Sequence, residues 1–475
     1  MTDKDIAKPR FMIAGAGSGS GKTTVTMGLM EAFRQEGEVP VSFKCGPDYI
    51  DPMFHRAALC VDSFNLDSYF SPDEDLVRSV GSCNGTVAVI EGVMGIYDGI
   101  HPDSIKGSSY EIAKITGTPV ILTVNAKGVG RTVIALIKGI LADDEAKLIK
   151  GIILNRMSDG FFEKIKPVLM KELSAVRPDV RMIGNIPDTA EARIDSRHLG
   201  LVLPQELPGI RDKIESLAKV IEHNLNIDTV MEIAEDPVHS AHPAPVTQQT
   251  GGRQYRHSFL PDDAAVTLAV ARDEAFSFYY RENLDLFEEM GVSIEYFSPL
   301  HDEKLPDNIS GLLIGGGYPE LHLKTLSSNK KMLGSIRSSI ADGMPSLAEC
   351  GGFMYLHDVI ESMEKKEYPM AGVIKGVCRY TGRPAGFGYV EIRGADDTEN
   401  DGLLSSLAGL RGHEFHYYDS DAACSDIRLY KPSSDKEYEG MMAGSDHVWG
   451  FTHFYYRSNP GVIEAFIRKM REYGR

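Results

Sequence analysis

Residues 11–24 read FMIAGAGSGSGKTT, an apolar segment that runs into a loop of small residues ending in GKTT. An apolar strand before such a loop and a helical pattern after it, here at residues 25–33, are the context that a phosphate-binding P-loop requires. Small residues allow successive backbone N–H groups to surround a phosphate, Lys22 can reach the β- and γ-phosphates, and the Thr23 hydroxyl can bind Mg²⁺. Ala16 stands where the P-loop pattern has its first glycine. The residues predicted to bind ATP are Gly17, Ser18, Gly19, Ser20, Gly21, Lys22, Thr23 and Thr24.

The sequence around this loop alternates short apolar strands with helical patterns up to about residue 230. Further candidate strands are residues 39–44, 86–91, 119–125, 151–155 and 181–186. These strands are apolar nearly throughout, which is typical of a parallel sheet covered on both faces. The pattern predicts a doubly wound α/β domain.

A proline-rich stretch interrupts this pattern, and a second alternation of strands and helices begins near residue 265. Its candidate strands are residues 266–271, 292–297, 311–314 and 346–349. Proline mixed with Gln, Gly, His and Ser is typical of a linker or a long loop. We therefore predict a P-loop domain at residues 1–235, a linker at 236–263 and a second α/β domain at 264–475.

Composition excludes several classes of protein. The 475 residues are 42% hydrophobic and 25% charged, as in a soluble globular protein of more than one domain. A net charge of −18 argues against a nucleic-acid partner. We identify no signal peptide and no apolar run of membrane-spanning length, and the six cysteines show no CxxC spacing. These features predict a cytoplasmic protein with reduced thiols and no membrane partner, and they leave a homodimer open.

Two loops supply carboxylates at predicted strand ends. Residues 44–52 read KCGPDYIDP, and residues 91–99 read EGVMGIYDG. The carboxyl ends of parallel strands meet at one edge of a sheet, so both loops should lie near the P-loop. Mg²⁺ prefers one or two carboxylates, a hydroxyl and phosphate oxygens, which predicts a site at Thr23, Asp48 and Glu91. The alternative is that Asp48 and Asp51 are turn residues and Asp98 a helix cap.

Two weaker candidates lie elsewhere in this half. Asn155 ends a predicted strand and could contact the adenine base, although a turn asparagine would look the same. Arg197 and His198 could hold a substrate carboxylate, whereas a helix end at Gly200 explains that segment equally well.

The second half contains a candidate nucleophile in residues 345–352, PSLAECGG. Cys350 follows an apolar strand and precedes two glycines, which is the pattern of a nucleophile elbow that exposes its side chain at a strained turn. The helix that begins there is expected to lower the thiol pKa. Ala348 stands where many elbows have glycine, and a buried structural cysteine is the alternative.

Two further segments would complete a thiol site. Residues 314–320 read IGGGYPE, and we expect an oxyanion or glutamine site at Gly316, Gly317 and Gly351. His453 is the candidate general base, with His413 and His416 as rivals. A carboxylate two residues beyond the base would orient it, but that position is Tyr455.

The strings GSGSGKTT, KCGPDYIDP, EGVMGIYDG, RHLGL, GGGYPE, AECGG and GHEFHY occur in this order along almost the whole chain. Together they resemble the cobyrinic acid a,c-diamide synthase family. The resemblance implies a dethiobiotin-synthetase-like P-loop domain followed by a class I glutamine amidotransferase domain. It implies that glutamine is hydrolysed through a thioester at Cys350. It also implies that ATP phosphorylates the a- and c-acetate carboxylates of a corrinoid or related tetrapyrrole, and that ammonia displaces the phosphate.

The same resemblance assigns roles to single residues. Lys22 and Thr23 would serve phosphate and Mg²⁺, Asp48 and Glu91 would serve the metal and phosphoryl transfer, and Asp98 would orient the substrate carboxylate. The family is expected to lack the usual third-member Glu of the amidotransferase triad. The substrate stays open between cobyrinate, hydrogenobyrinate and a nickel sirohydrochlorin. Alternatives are another glutamine-dependent ligase, such as a cobyric-acid-synthase-like or CTP-synthetase-like enzyme, and a partition-type regulatory P-loop ATPase.

Overall fold

A computed structural model describes residues 8–192, 209–236, 266–395 and 402–474. The chain divides into two compact units, Met1–Thr247 and Gln248–Arg475. The predicted linker, apart from its first residue, and the segment with Arg197 and His198 lie outside the described residues. The predicted domain boundaries therefore stay a prediction.

The first unit contains a parallel sheet of seven strands in the spatial order β3-β2-β4-β1-β5-β6-β7. The strands are β1 (Arg10–Gly15), β2 (Pro40–Cys45), β3 (Ser63–Leu66), β4 (Val87–Glu91), β5 (Val120–Asn125), β6 (Ile149–Asn155) and β7 (Arg181–Ile186). The helices are α1 (Lys22–Gln35), α2 (Ile50–Leu59), α3 (Asp73–Ser82), α4 (Ser109–Thr116), α5 (Thr132–Ala142), α6 (Asp159–Ser174), α7 (Ile210–Asn224) and α8 (Ile227–Ala234).

Strand β1 lies at the centre of this sheet and is buried on both faces. Met12 and Ala14 belong to one hydrophobic cluster, whereas Phe11 and Ile13 belong to another. Alternate residues of a strand face opposite sides of a sheet, so a sheet covered on both sides needs an unbroken apolar run. All strands predicted for this half are present. Strand β3 is absent from the predictions because its sequence, SFNL, is short and half polar.

The second unit contains a ten-stranded sheet in the order β21-β16-β15-β18-β19-β20-β11-β10-β8-β9 and a four-stranded sheet in the order β13-β12-β14-β17. The first four strands are β8 (Val266–Ala271), β9 (Val292–Phe297), β10 (Gly311–Ile314) and β11 (Ser346–Glu349). Later strands are β12 (His357–Glu361), β13 (Glu367–Pro369), β14 (Ile374–Tyr380), β15 (Gly386–Ala395), β16 (Arg411–His416), β17 (Tyr418–Ser420), β18 (Ile427–Lys431), β19 (Lys436–Ala443), β20 (His447–Gly450) and β21 (His453–Tyr455). The helices are α9 (Arg281–Glu289), α10 (Leu323–Ser328), α11 (Lys330–Ala341), α12 (Gly351–Leu356), α13 (Leu403–Ser406) and α14 (Gly461–Tyr473).

The large sheet combines two modes of strand pairing. Strands β9, β8, β10, β11 and β20 run parallel, and the remaining five strands continue the sheet in antiparallel order. The four strands predicted for this half, β8 to β11, all lie in the parallel part. No described helix combines the length and the apolar character that crossing a membrane requires.

Candidate active sites

The P-loop joins β1 to α1 and is held by contacts within the first unit. Gly21 has φ of +91°, and a Cβ atom there would lie 1.9 Å from Nδ2 of Asn155. That amide donates a hydrogen bond of 2.9 Å to the Ser20 carbonyl, and the Ser20 hydroxyl donates one of 2.8 Å to the Gly17 carbonyl. Only glycine fits at position 21, because the backbone is left-handed there and Asn155 fills the space. Asn155 therefore supports the loop, and its contact with adenine stays a prediction.

Lys22 reaches from the start of α1 to the loop that follows β4. Its Nζ donates hydrogen bonds to the carbonyls of Met94 at 2.5 Å and Gly17 at 3.3 Å. Burial, followed by the positive charge of Lys44, lowers the pKa of Lys22. The lysine is thus already directed into the P-loop, where an ammonium can meet phosphate oxygens.

Glu91 lies at the end of β4, fully buried beside the P-loop. Its Oε1 accepts hydrogen bonds from the Thr23 hydroxyl at 2.5 Å and from Nζ of Lys44 at 2.8 Å. Burial by itself would raise the pKa of this carboxyl, but Lys44 and His55 outweigh burial and hold the pKa well below its usual range. Glu91 is consequently ionised, which suits a ligand of a cation.

Lys44 connects Glu91 to the aspartates of the next loop. Its Nζ lies 2.5 Å from Oδ2 of Asp51 and 3.9 Å from Oδ2 of Asp48. Burial, followed by the charge of Asp48, raises the pKa of Asp51 well above its usual range. Asp51 and Lys44 are absent from the predicted site, although both lie in the string KCGPDYIDP that drew attention to Asp48.

His55 on α2 is a second partner of Glu91 that the sequence analysis missed. Its Nε2 lies 3.3 Å from Oε2 of Glu91, and its Nδ1 lies 2.8 Å from the Ser42 hydroxyl. Nothing in the local sequence distinguishes this histidine from a histidine in the core, because its partners come from β2 and β4.

The predicted magnesium ligands fit a metal that arrives with a nucleotide. Thr23 and Glu91 are in contact, and Asp48 reaches the same cluster through Lys44. Within the described ranges, no three His, Cys, Asp or Glu side chains form a metal-binding group of their own. Mg²⁺ is commonly held by one or two carboxylates together with substrate phosphates, so this donor set suits it.

Asp98 caps the turn that follows β4. Its Oδ2 accepts a hydrogen bond of 2.7 Å from the backbone N–H of Gly95. In the described part of the chain no helix begins or ends at Asp98, so Asp98 is a turn residue and not the helix cap of the alternative. The orientation of a substrate carboxylate by Asp98 stays a prediction.

Cys350 lies between β11 and α12 in a strained conformation, with φ of +48° and ψ of −104°. Its N–H donates a hydrogen bond of 2.8 Å to the Gly450 carbonyl, and the N–H of Gly352 donates one of 3.0 Å to the Gly315 carbonyl. A Cβ atom at Gly352 would lie 2.0 Å from the Ile314 carbonyl oxygen, so the chain can turn there only with glycine. This backbone is the geometry of a nucleophile elbow.

The expected lowering of the thiol pKa is wrong for this structure. Cys350 is only 7% exposed, and burial, followed by the charge of Glu320, raises its pKa well above the usual range. The hydrogen bond from the Gly351 N–H, at the start of α12, lowers the thiol pKa but does not outweigh these effects. The thiol is therefore neutral at rest and needs a base for activation.

His453 on β21 packs directly over the glycine-rich loop. A Cβ atom at Gly316 would lie 2.1 Å from Cε1 of His453. Burial, followed by the neighbouring His413 and His416, lowers the pKa of His453 to about 3. The imidazole is therefore neutral and can accept a proton. Among the three candidate bases, His453 is the one that contacts the loop, whereas His416 stacks on the Phe451 ring at 4.0 Å.

The predicted oxyanion glycines gather around the elbow. A Cβ atom at Gly351 would lie 3.2 Å from the backbone nitrogen of Gly317, and one at Gly317 would lie 2.0 Å from the Ala275 carbonyl oxygen. The Pro319 ring and the His453 imidazole pack against these glycines, and the backbone N–H of Gly351 donates a hydrogen bond to the thiol group. The role of these glycines in binding an oxyanion stays a prediction.

Glu349 is a candidate that the sequence analysis missed. Its Oε2 lies 3.9 Å from Nδ1 of His453. The position of Glu349 directly before Cys350 is a signal in the sequence. Its proximity to His453, about a hundred positions later, exists only in the fold.

Comparison with known proteins places both halves of the chain. Residues 11–202 match the family described as the CobQ/CobB/MinD/ParA nucleotide binding domain, and residues 267–460 match the CobB/CobQ-like glutamine amidotransferase domain. The predicted fold class, a doubly wound P-loop domain followed by an amidotransferase-like α/β domain, is confirmed.

Relatives match the chain over nearly its full length. The cobyrinate a,c-diamide synthase of Priestia megaterium is 35% identical over 472 residues, which are 98% of this chain and 98% of the relative. That of Clostridium tetani is 36% identical over 97% of this chain and 99% of the relative. Among solved structures, the cell division protein MinD of Aquifex aeolicus is 15% identical, with a TM-score of 0.29, over 49% of this chain and 99% of that chain.

Proposed function

The chain belongs to the cobyrinate a,c-diamide synthase family, and from this premise we propose that it amidates the a- and c-acetate carboxylates of cobyrinic acid or a closely related tetrapyrrole. It is a carbon–nitrogen ligase with glutamine as amido donor, and membership of the family removes the alternative of a partition-type regulatory ATPase. One observation carries the proposal. A single chain holds an ionised carboxylate beside a P-loop, and a cysteine elbow next to a glycine-rich loop on which a neutral histidine packs.

The P-loop site would convert a carboxylate to an acyl phosphate with ATP. A carboxylate reacts poorly with ammonia, whereas an acyl phosphate has a good leaving group. Phosphoryl transfer depends mainly on positioning and on neutralising charge. Lys22 would contact the phosphates, and Asp98 would orient the substrate carboxylate. Thr23, Asp48 and Glu91 would hold Mg²⁺, which when bound neutralises phosphate charge.

The cysteine site would release ammonia from glutamine. His453 would take the proton of the Cys350 thiol, and the sulfur would attack the amide carbon to form a thioester. The N–H groups around Gly316, Gly317 and Gly351 would stabilise the oxyanion. Ammonia would then displace phosphate from the activated substrate. All six cysteines are free, which supports a cytoplasmic location; a homodimer stays a prediction.

Mass spectrometry of the products tests this function directly. The full-length protein is incubated with ATP, Mg²⁺ and glutamine and with cobyrinate, hydrogenobyrinate or a nickel sirohydrochlorin in separate reactions. We expect two acid-to-amide mass shifts on one of these substrates, both of them on acetate side chains. Amides confined to other side chains would instead favour a cobyric-acid-synthase-like ligase.

A further inference from the structure

We propose that Glu349 is the positioning residue for His453 and fills the role of the carboxylate that position 455 lacks. The proposal rests on the assignment of Cys350 and His453 as nucleophile and base. It extends that assignment, because Glu349 is outside the sequence pattern in which an orienting acid follows the histidine by two residues.

Glu349 is held against the segment that carries His453. It is the last residue of β11 and is 7% exposed. Its Oε1 accepts a hydrogen bond of 2.5 Å from the Tyr456 hydroxyl, and the backbone N–H of Phe454 donates another to the carboxyl group. Two anchors thus fix this side chain between the nucleophile and the strand β21.

The second oxygen of the carboxyl group faces the imidazole. Oε2 of Glu349 lies 3.9 Å from Nδ1 of His453, while Cε1 of the ring is directed at Gly316. With Nδ1 turned towards Glu349, we assign Nε2 as the nitrogen that takes the thiol proton. A distance of 3.9 Å exceeds a hydrogen bond, and catalytic hydrogen bonds often shorten only when substrate binds.

Position 455 is used differently. The rings of Tyr455 and Tyr280 form a T-shaped pair, with 5.4 Å between ring centroids. An aromatic residue in this place supplies packing but no acceptor charge for the base. The orienting acid therefore has to come from another strand, and β11 supplies it.

The electrostatic surroundings explain why such an acid is needed. Burial, followed by His413 and His416, lowers the pKa of His453 to about 3, so the ring alone holds a proton poorly. Burial raises the pKa of Glu349 to about 8, against the opposing hydrogen bonds from Tyr456 and Phe454. Other ionisable groups that face this pair or the Cys350 thiol include Tyr279, Tyr456, Glu320 and Glu414. None of these is a cation, so a carboxylate at Glu349 stabilises the imidazolium when it forms.

These groups account for each proton and bond in the hydrolysis of glutamine. The Sγ–H bond of Cys350 breaks as Nε2 of His453 takes the proton, and Sγ bonds to the amide carbon of glutamine. The C–N bond then breaks, and the leaving nitrogen takes the proton from the imidazolium and departs as ammonia. Water later splits the thioester into glutamate and the free thiol. Glu349 would accept a hydrogen bond from Nδ1–H while the imidazolium exists, and it exchanges no proton with substrate.

The test compares Glu349→Gln with Glu367→Gln, which makes the same change at an exposed residue of β13. In the full-length enzyme we expect Glu349→Gln to lower kcat for glutamine-dependent amide formation on the order of 10²-fold. The KM for glutamine and the rate with ammonium should stay at their wild-type values, as should all rates of Glu367→Gln. Alkylation of Cys350 by iodoacetamide should lose its dependence on an ionisation near pH 8 in Glu349→Gln alone.

A wild-type kcat together with a wild-type pH profile of alkylation in Glu349→Gln would overturn the proposal. If Glu349→Gln also loses the ammonium-dependent rate, Tyr456→Phe is used instead, because it removes the hydrogen bond that holds Oε1 of Glu349. A wild-type pH profile of Cys350 alkylation in Tyr456→Phe would then reject the proposal. The assignment of Cys350 as nucleophile is tested separately. It would be rejected if Cys350→Ala still used glutamine.

Discussion

Glu91 and Glu349 occupy equivalent places in the two units and have opposite electrostatic states. Each is a buried glutamate at the end of a parallel strand, next to a reactive loop. Lys44 and His55 hold the pKa of Glu91 well below its usual range, whereas burial raises the pKa of Glu349 to about 8. Burial acts on both carboxyls in the same direction, so the difference comes from the neighbouring cation.

The difference matches the chemistry proposed for each site. A metal and phosphate site needs a permanent negative charge, and Lys44 keeps that charge in place. A thiol site needs negative charge only while the imidazolium exists, so an acid that ionises near the working pH is sufficient. A glutamate therefore suits either mechanism, and its neighbouring residues decide which one.

The largest expected effect separates the two units by function. Cys350→Ala should lower glutamine-dependent amidation on the order of 10⁴-fold or more, because no other group can form the thioester. Amidation with ammonium should persist, since the P-loop site is unaltered. Steady-state rates with each nitrogen source measure this, with Cys424→Ala as the control thiol. Normal use of glutamine by Cys350→Ala would show that the nucleophile is wrongly assigned.

The next largest effect is expected from removing the permanent negative charge of Glu91 in the first unit. Glu91→Gln preserves shape but not charge, and we expect amidation to fall on the order of 10³-fold with glutamine and ammonium alike. The loss should include the ATP-dependent step, measured as ADP release in the presence of the tetrapyrrole. Glu163→Gln, at an exposed position on α6, is the matched control. An undiminished rate with ammonium would contradict the role given to Glu91.

Removing Lys44 would make the surroundings of Glu91 resemble those of Glu349. In Lys44→Met, the carboxyl loses its nearest cation, and we expect its pKa to rise because burial is then opposed without the lysine charge. Ammonium-dependent amidation should fall roughly 10-fold to 10²-fold at pH 7 and recover in part as the pH rises. If the ammonium-dependent rate of Lys44→Met followed pH in parallel with the wild type from about pH 6 to about pH 9, the comparison would be broken.

The smallest effect is on stability. Glu349 has a folded-state pKa of about 8, above its unfolded value of about 4.3. Its stabilising contribution is thus fully present below about pH 4 and is lost as the pH rises to about 8. Glu349→Gln should remove this dependence of stability on pH, because an amide does not titrate in this range. Thermal denaturation at both ends of the range measures it. Equal pH slopes for Glu349→Gln and the wild type would exclude a raised pKa.

Features that depend on neighbouring residues were predictable from the sequence. The P-loop, the apolar strands of both parallel regions and the elbow around Cys350 follow from composition and spacing over short windows. The antiparallel half of the large sheet was not predicted, because its strands alternate exposed and buried residues irregularly and pair across long separations. The thiol pKa was predicted in the wrong direction because burial is invisible to a local pattern.

The sequence by itself determined which residues can react, because a P-loop lysine, an elbow cysteine and a glycine-rich loop are local arrangements. Only the tertiary structure decided the charge state of these residues. Lys44, His55 and Glu91 meet from β2, α2 and β4, and Glu349 meets His453 from β11 and β21. Charge state depends on desolvation and on the nearest opposite charge, and the fold sets both through contacts between segments far apart in the chain.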